Sequence, residues 1–396
     1  MTREQLLRRQ ERAALRAQKE AESRELAKGP MDLPFLLLVL LLTGIGLVML
    51  LSASFPSAYY ESGKPTAYFA RQGVFAILGV AAMLGVSKIN YQRFRALGKP
   101  LLMLSVVLLA LVLIPGIGII RNHARRWLGI PGTSMQFQPS EVAKLAVVLY
   151  FSDTISRKKD KMRSFRYGIL PYAVIMGVIA LLMLKEPHLS GTVLILGTGA
   201  VLMLVGGISW GWVGGAAAIG GAGVFALLSG LVSYGESRIA MWKDPWLDAR
   251  DKGYQMVQSL LAIGSGGLWG LGLGKSRQKF LYLPEEHNDF IFAIVCEELG
   301  LVGAGVIMLL FAALIFRGYW IALHARDRFG SLLAVGVTTL IALQTFLNIG
   351  VVTGLLPATG ISLPFFSYGG TALCIQLVEM GIVLSVSRQM KPTKAG

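Results

Sequence analysis

The chain has little of what a disulfide-bonded, metal-loaded or soluble protein needs. Its 396 residues hold two cysteines, Cys296 and Cys374, each inside an apolar run. That excludes a disulfide framework and a thiolate metal site, and it leaves both to pack as small apolar side chains. Four histidines, His123, His188, His287 and His324, stand at no metal-ligand spacing. Charged residues are only 15% of the chain, and 22 acidic residues face 38 basic ones. No internal repeat marks an inverted-repeat architecture. What is present instead is apolar: 54% hydrophobic residues with 47 glycines, more than one soluble core of this length requires.

The apolar residues fall into runs long enough to cross about 30 Å of hydrocarbon, each roughly 17 to 25 residues. The sequence predicts an all-α polytopic membrane protein with about ten spans, near 33–54, 68–87, 100–119, 139–155, 168–185, 190–208, 211–234, 288–316, 331–354 and 367–387. Basic residues cluster in alternate connections. Eight precede Gly29, Lys88, Arg93, Arg95 and Lys99 follow the second run, "RKKDKMRSFR" follows the fourth, and further clusters follow the eighth and tenth. The positive-inside rule makes those sides cytoplasmic, so both termini are expected inside and the span number even. The net charge of +16 therefore reports topology, and nucleic acid is not an expected partner. A charged arm over 1–30, a membrane domain over 31–388 and a short tail over 389–396 complete the organisation, with the longest connection, 235–287, outside the membrane. The first apolar run is longer than a signal-peptide core, which predicts an uncleaved anchor, although "SAS" at 52–54 imitates a cleavage site.

Polar residues in or beside such runs are costly and point to function. "FQPSEVAK" opens the fourth run with Pro139 as an early helical residue and sets Glu141 three positions before Lys144, on one helix face. The pair suits either substrate binding or helix packing. Arg71 lies near an outer interface, where it also suits snorkelling. Arg121, Arg125, Arg126, Lys275, Arg277 and Lys279 stand in outer connections, against the charge rule, as cations for an anionic headgroup would. Yet the 235–287 connection is nearly neutral, so solvation alone accounts for its charges equally well. Asp289 stands where "EEHND" gives way to an apolar run. An acidic residue in a first helical turn is also what the helix dipole favours. "GSGGLWGLGLGKS" imitates a phosphate loop, but the residue five before Gly274 is Trp269 where that motif needs glycine. A flexible re-entrant or interfacial element is the expectation there, with tryptophans at headgroup level.

Three stretches, "RRWLGIPGTSMQFQPSEVAK", "GYQMVQSLLAIGSGGLWGLGLGKSRQKFLYLPEEHNDFIFAIVCEELG" and "LPATGISLPFFSYGG", occur in that order. They resemble the signature regions of the shape, elongation, division and sporulation (SEDS) family of peptidoglycan polymerases. The second resembles the division and sporulation (FtsW-like) branch more than the RodA-like one. The resemblance implies a glycosyltransferase that joins lipid II, the lipid-linked disaccharide-peptide, into undecaprenyl-linked glycan at the outer face of the bacterial cytoplasmic membrane. It places the family's catalytic acidic position on Asp289, and substrate-binding positions on Arg71, Arg126, Glu141 and Lys144. Its Pro-Phe-Phe-Ser-Tyr-Gly-Gly motif falls on Pro364 to Gly370, with Ser367 as a further substrate contact, and Lys275 and Arg277 are cations for the diphosphate. Asn288 replaces a threonine common in relatives. A class B penicillin-binding protein and other divisome proteins are the implied partners. Mg²⁺ or Mn²⁺ held by Asp289 with the substrate diphosphate is the cofactor the chemistry allows. A lipid II flippase or a non-catalytic division scaffold would also use a Gly-rich multi-span chain. The clustering of Arg71, Arg126, Glu141 and Asp289 toward one face favours a reaction site over a path through the bilayer.

Overall fold

The computed structural model describes residues 29–121, 124–129, 136–212, 214–215 and 236–390. The 1–30 arm (but for its last two residues), most of the seventh expected span at 211–234 and all but the first two residues of the 389–396 tail lie outside them. The described chain is predominantly helical. In order come α1 (Leu33–Ser62), α2 (Ala67–Ser87), α3 (Arg95–Leu113), a small antiparallel sheet of β1 (Gly118–Arg121), β2 (Ala124–Gly129) and β3 (Gln136–Phe137), then α4 (Pro139–Lys158), α5 (Leu170–Lys185) and α6 (Leu189–Val205). After the undescribed stretch follow α7 (Glu236–Lys243), α8 (Tyr254–Gly266), α9 (Ile291–Leu323), α10 (Arg328–Val352) and α11 (Gly370–Ser387).

Local chemistry explains several boundaries. Asp32 caps α1 by accepting from the Phe35 N–H at 2.9 Å, with Pro34 in the first turn, where its missing N–H costs nothing. Pro139 opens α4 in the same way. The third run departs from its expected 100–119 bounds. A 3₁₀ turn at Tyr91–Phe94 leads directly into helix at Arg95, which carries Pro100, and the helix stops at Leu113 before Pro115 and Gly116. The apolar residues at 117–120 belong to β1 and its approach, because "PG" ends the helix while hydropathy alone reads straight through it.

Seven described helical stretches are long and apolar enough to cross a membrane, counting the short turns that precede α3 and α5, and α6 is a shorter apolar helix. Their burial differs. Within the apolar window of α10, 72% of residues are buried inside the protein, against 22% for α2. In a membrane protein the outer helices expose apolar side chains to lipid, so α10 is central and α2 peripheral. α10 packs against α4, α6, α9 and α11, while α11 also packs along α2. The charge pattern of α4, with Glu141, Lys144 and Asp153, is tolerated because its polar face turns to these neighbours rather than outward.

The 235–287 connection is structured rather than loose, since α7 and α8 both lie within it. Its glycine-rich end, 267–272, is inserted into a break in α9. At Gly300 the helix leaves helical geometry (φ 67°, ψ −171°), so Leu301 and Val302 cannot donate to Glu297 and Glu298 four residues back. The inserted segment replaces both partners of each broken bond. Leu301 N–H donates to Gly267 O at 2.9 Å and Val302 N–H to Leu268 O at 3.1 Å. The Glu297 and Glu298 carbonyls accept from Leu271 and Gly272, both at 3.0 Å. All four backbone groups are satisfied inside the protein, which is the condition for irregular backbone at membrane depth. Close approach fixes the residue type: a Cβ at Gly270 would lie 2.2 Å from Glu298 O, and one at Gly300 would lie 2.3 Å from Gly270 N.

Candidate active site

Asp289 sits one residue outside Phe290, the cap of α9, and the first turn of that helix contains no acidic residue. The placement sets it just before the first turn, where it is still near the positive end of the helix dipole. Its backbone is anchored. Ala293 N–H bonds to Phe290 O at 2.9 Å, and the Asp289 carbonyl instead accepts from Asn348 Nδ2 of α10 at 2.8 Å. The carboxylate lies against the turn at Gly360, where a Cβ would stand 3.2 Å from Oδ2. Gly360 has φ +66°, so an L side chain there is disfavoured by backbone as well as by space.

Two cavities meet at this point. The first, about 150 Å³, is lined by Arg126, Gln138, Glu141, Lys144, His188 and Asp289 among others. The second, about 450 Å³, is lined by Trp242, Lys252, Gln255, Glu285, Asp289 and Thr359 among others. Arg126, Glu285, Asp289 and Gly360 line both. Helix α7 closes over the second, its Trp242 Nε1 donating to Gly354 O at 2.9 Å.

Each wall has a mechanical explanation. Glu141 and Lys144 are both buried and form an ion pair at 2.7 Å on α4, as their spacing requires. Lys144 also reaches Gln344 Oε1 of α10 at 3.4 Å. Arg126, on β2, donates to the carbonyls of Glu186 and Pro187, so the connection between α5 and α6 holds its guanidinium at the cavity edge. In that connection burial pushes the Glu186 carboxyl up to about 8, opposed by the Arg126 charge, and neither carboxylate oxygen has a hydrogen-bond partner among the described residues. Burial, then the charges of Arg126 and Lys144, bring His188 down to about 3. His188 is therefore neutral at pH 7, and it faces Gln138 Nε2 at 3.1 Å from Nδ1.

Of the residues expected from the sequence, Asp289, Arg126, Glu141 and Lys144 come together around one cavity. Arg71 reaches it only through Tyr368, to whose hydroxyl it donates at 3.2 Å. Ser367 lies behind the wall. Its hydroxyl accepts from Leu363 N–H and donates to Asn288 O, both at 2.7 Å, so it clips the loop before α11 to the residue preceding Asp289. Lys275 and Arg277 are exposed and line neither cavity. The reason is the adjoining acidic pair. Glu298 accepts from Gly274 N–H (2.9 Å), Ser276 N–H (3.2 Å), Lys279 (2.9 Å) and Ser52 (2.7 Å), and Glu297 accepts from Arg277 N–H at 2.9 Å. The amides a phosphate loop would offer to a ligand are satisfied by buried carboxylates, Lys279 pairs with Glu298, and the Lys275 and Arg277 side chains are exposed. Sequence reasoning passed over Glu297, Glu298, Gln344 and Asn348, although polar residues inside apolar runs are the signal that marks them.

A predominantly helical, multi-pass membrane protein with charged and amide groups gathered around two cavities at one end of its bundle is the class that fold and site define. Comparison with known proteins narrows it. The family model for the cell cycle proteins FtsW, RodA and SpoVE matches residues 32–392. The chain belongs to this family. It is 43% identical over 357 residues to stage V sporulation protein E of Bacillus subtilis, covering 90% of this chain and 97% of the relative. It is 42% identical over 363 residues to the "Probable peptidoglycan glycosyltransferase FtsW" of Geobacter metallireducens, covering 91% and 96%. Among solved structures, one described as "Structural coordination of polymerization and crosslinking by a peptidoglycan synthase complex" aligns with TM-score 0.76 at 28% identity, over 91% of this chain and 98% of the other. The rod shape determining protein RodA of Thermus thermophilus aligns with TM-score 0.67 at 28% identity, over 92% and 99%.

Proposed function

We propose that this chain is a peptidoglycan glycosyltransferase that polymerises lipid II at the outer face of the cytoplasmic membrane during division or sporulation, with Asp289 as general base. The observation that carries the reading is the position of Asp289 on the wall shared by two cavities, beside Arg126. A transfer between two large substrates requires a donor and an acceptor on either side of the reacting group, and these cavities offer both sides. The acceptor hydroxyl gives its proton to the Asp289 carboxylate as its oxygen bonds to the donor's anomeric carbon. The bond from that carbon to the lipid diphosphate breaks, and the diphosphate leaves with the electron pair. Arg126, on both cavities, and Lys252, on the second, are placed to offset its charge. Arg71 acts at the rim through Tyr368. Glu141 and Lys144 contribute a neutral, polar floor that bears on substrate through Lys144.

For Mg²⁺ or Mn²⁺, no cluster of three or more candidate ligands exists among the described residues. Glu285 and Asp289 line the same cavities, which fits an ion held by one or two carboxylates with the remaining ligands from diphosphate and water. Such an ion would neutralise the leaving diphosphate.

A class B transpeptidase is the partner we propose. Exposed Leu301, Val306, Leu309 and Phe316 on α9 give it an apolar face within the eighth expected span, 288–316. The seventh expected span, 211–234, lies mostly outside the described residues.

Purified protein with its transpeptidase is to be given lipid II in vesicles, with glycan strands and lipid scrambling measured in parallel. Strand formation without scrambling is the expected result. Scrambling without strands would replace the polymerase by a flippase, and neither activity would leave a scaffold.

A further inference from the structure

On α10, Gln344 and Asn348 stand one turn apart, and both are buried. Gln344 takes Lys144 on its carbonyl at 3.4 Å, and its Nε2 donates to Ser362 O at 3.0 Å and Ser362 Oγ at 3.1 Å. Asn348 Nδ2 donates to Asp289 O at 2.8 Å and to Ile361 O at 2.6 Å. Its Oδ1 has no hydrogen-bond partner among the described residues. The orientation of the amide follows from chemistry, since the opposite placement would turn an oxygen toward two carbonyl oxygens.

Through one helix these two amides tie together residues that line the first cavity. Both hold the 360–362 turn, one reaches Lys144, and the other reaches the backbone of Asp289. Ala293 N–H bonds to Phe290 O while Asn348 donates to the Asp289 carbonyl, which holds the Asp289 backbone beside the turn whose Gly360 leaves room for its carboxylate. We infer that Asn348 is a positioning residue for Asp289, and that Gln344 does the same for Lys144, so that α10 sets the separation of the two across the cavity. A merely structural amide would satisfy two buried carbonyls and contribute to folding alone. A positioning amide also sets the reaction rate, because small misplacements of a catalytic group are costly.

The inference rests on Asp289 being the base, and the test separates the two. Asn348→Leu removes both donors at similar size, and Asn348→Ser, which retains a short hydroxyl, serves if the leucine variant does not fold. Polymerisation of lipid II by purified protein is measured per folded molecule, in the parent and in an Asp289→Asn background, with hydrogen exchange followed over 286–292. The expected result is a fall in kcat of more than fivefold with KM changed less than threefold, faster exchange in that segment, and no further loss when Asp289 is already asparagine. A smaller fall, a fall carried by KM, or an equal proportional loss in both backgrounds overturns the positioning role. Near-parental activity of Asp289→Asn alone removes the base and this inference with it. An inactive Asp289→Asn beside a fully active Asn348→Leu removes only the inference.

Discussion

The two ends of the helical bundle handle charge in different ways. At the end remote from Asp289, Arg95 of α3 bonds to Asp153 of α4 at 2.9 Å and to Asp327 at the start of α10 at 3.2 Å, with its guanidinium 4.1 Å from the centre of the Phe329 ring. Asp327 further accepts from Tyr91, Gln92 and the Gly330 N–H at 2.8, 2.8 and 2.9 Å, and Arg157 bonds to Asp153 at 2.8 Å. Burial alone would raise the Asp327 carboxyl, but these donors and Arg95 outweigh it and hold it below the ordinary range. The set is closed, its carboxylates answered by neighbouring side chains and one backbone N–H. Around Asp289, cations and carboxylates line cavities, and backbone groups help to hold them: the Glu186 and Pro187 carbonyls accept from Arg126, and the Asp289 carbonyl accepts from Asn348. A charge cluster closed between helices stabilises a fold. One that lines a cavity stands where a ligand can reach it.

Four measurements bear on that contrast. The largest effect belongs to Asp289→Asn, which keeps size and hydrogen-bonding shape while removing the proton acceptor, and should lower polymerisation about a hundredfold or more. Folding should survive, and an activity within threefold of the parent at equal folded concentration would take Asp289 out of the mechanism. The next is Glu141→Ala, which strands Lys144 in a buried site and should cost up to about 3 to 5 kcal/mol of stability. Adding Lys144→Ala should restore folded yield in detergent. Full recovery of activity as well would move the pair to the closed, structural kind.

At the opposite end, Arg95→Ala should cost about 1 to 3 kcal/mol, the lower figure being favoured because the guanidinium is partly exposed. Polymerisation per folded molecule should be unchanged, and a fall beyond threefold would show that the two ends communicate. The smallest effect concerns Glu186. Its carboxyl is raised to about 8 in the fold against an ordinary 4.5, so the folded state binds more protons between those values. The stabilising proton is fully present below pH 4.5 and is lost as pH rises toward 8. Glu186→Gln should therefore raise the melting temperature by roughly 1 to 3 °C at pH 8.5 and leave it unchanged at pH 4.5. An equal change at both values would exclude titration of this group as the cause.

The membrane class and seven long apolar helices were legible because a bilayer demands one simple property of about twenty consecutive residues. The short apolar stretch after Pro115 misled because hydropathy does not distinguish a strand beside the membrane from the end of a helix within it. Glu141 and Lys144 were legible as a pair, three residues apart on one helix. Lys275 and Arg277 looked equally suited to a diphosphate, since nothing in a local reading tells which way a loop side chain turns.

Sequence by itself determined the membrane class, the helix-forming runs and the identity of the groups able to do chemistry, because each depends on composition or on neighbours within a turn or two. Tertiary structure alone decided which of those groups meet. Asn348 and Asp289 are 59 positions apart, Lys144 and Gln344 are 200 apart, and Ser52 and Glu298 are 246 apart. A hydrogen bond is made or lost within a few tenths of an ångström, and its partners are chosen by the packing of whole helices. The same packing placed the 267–272 segment in the gap at Gly300, where four backbone groups would otherwise have remained unsatisfied in an apolar surrounding.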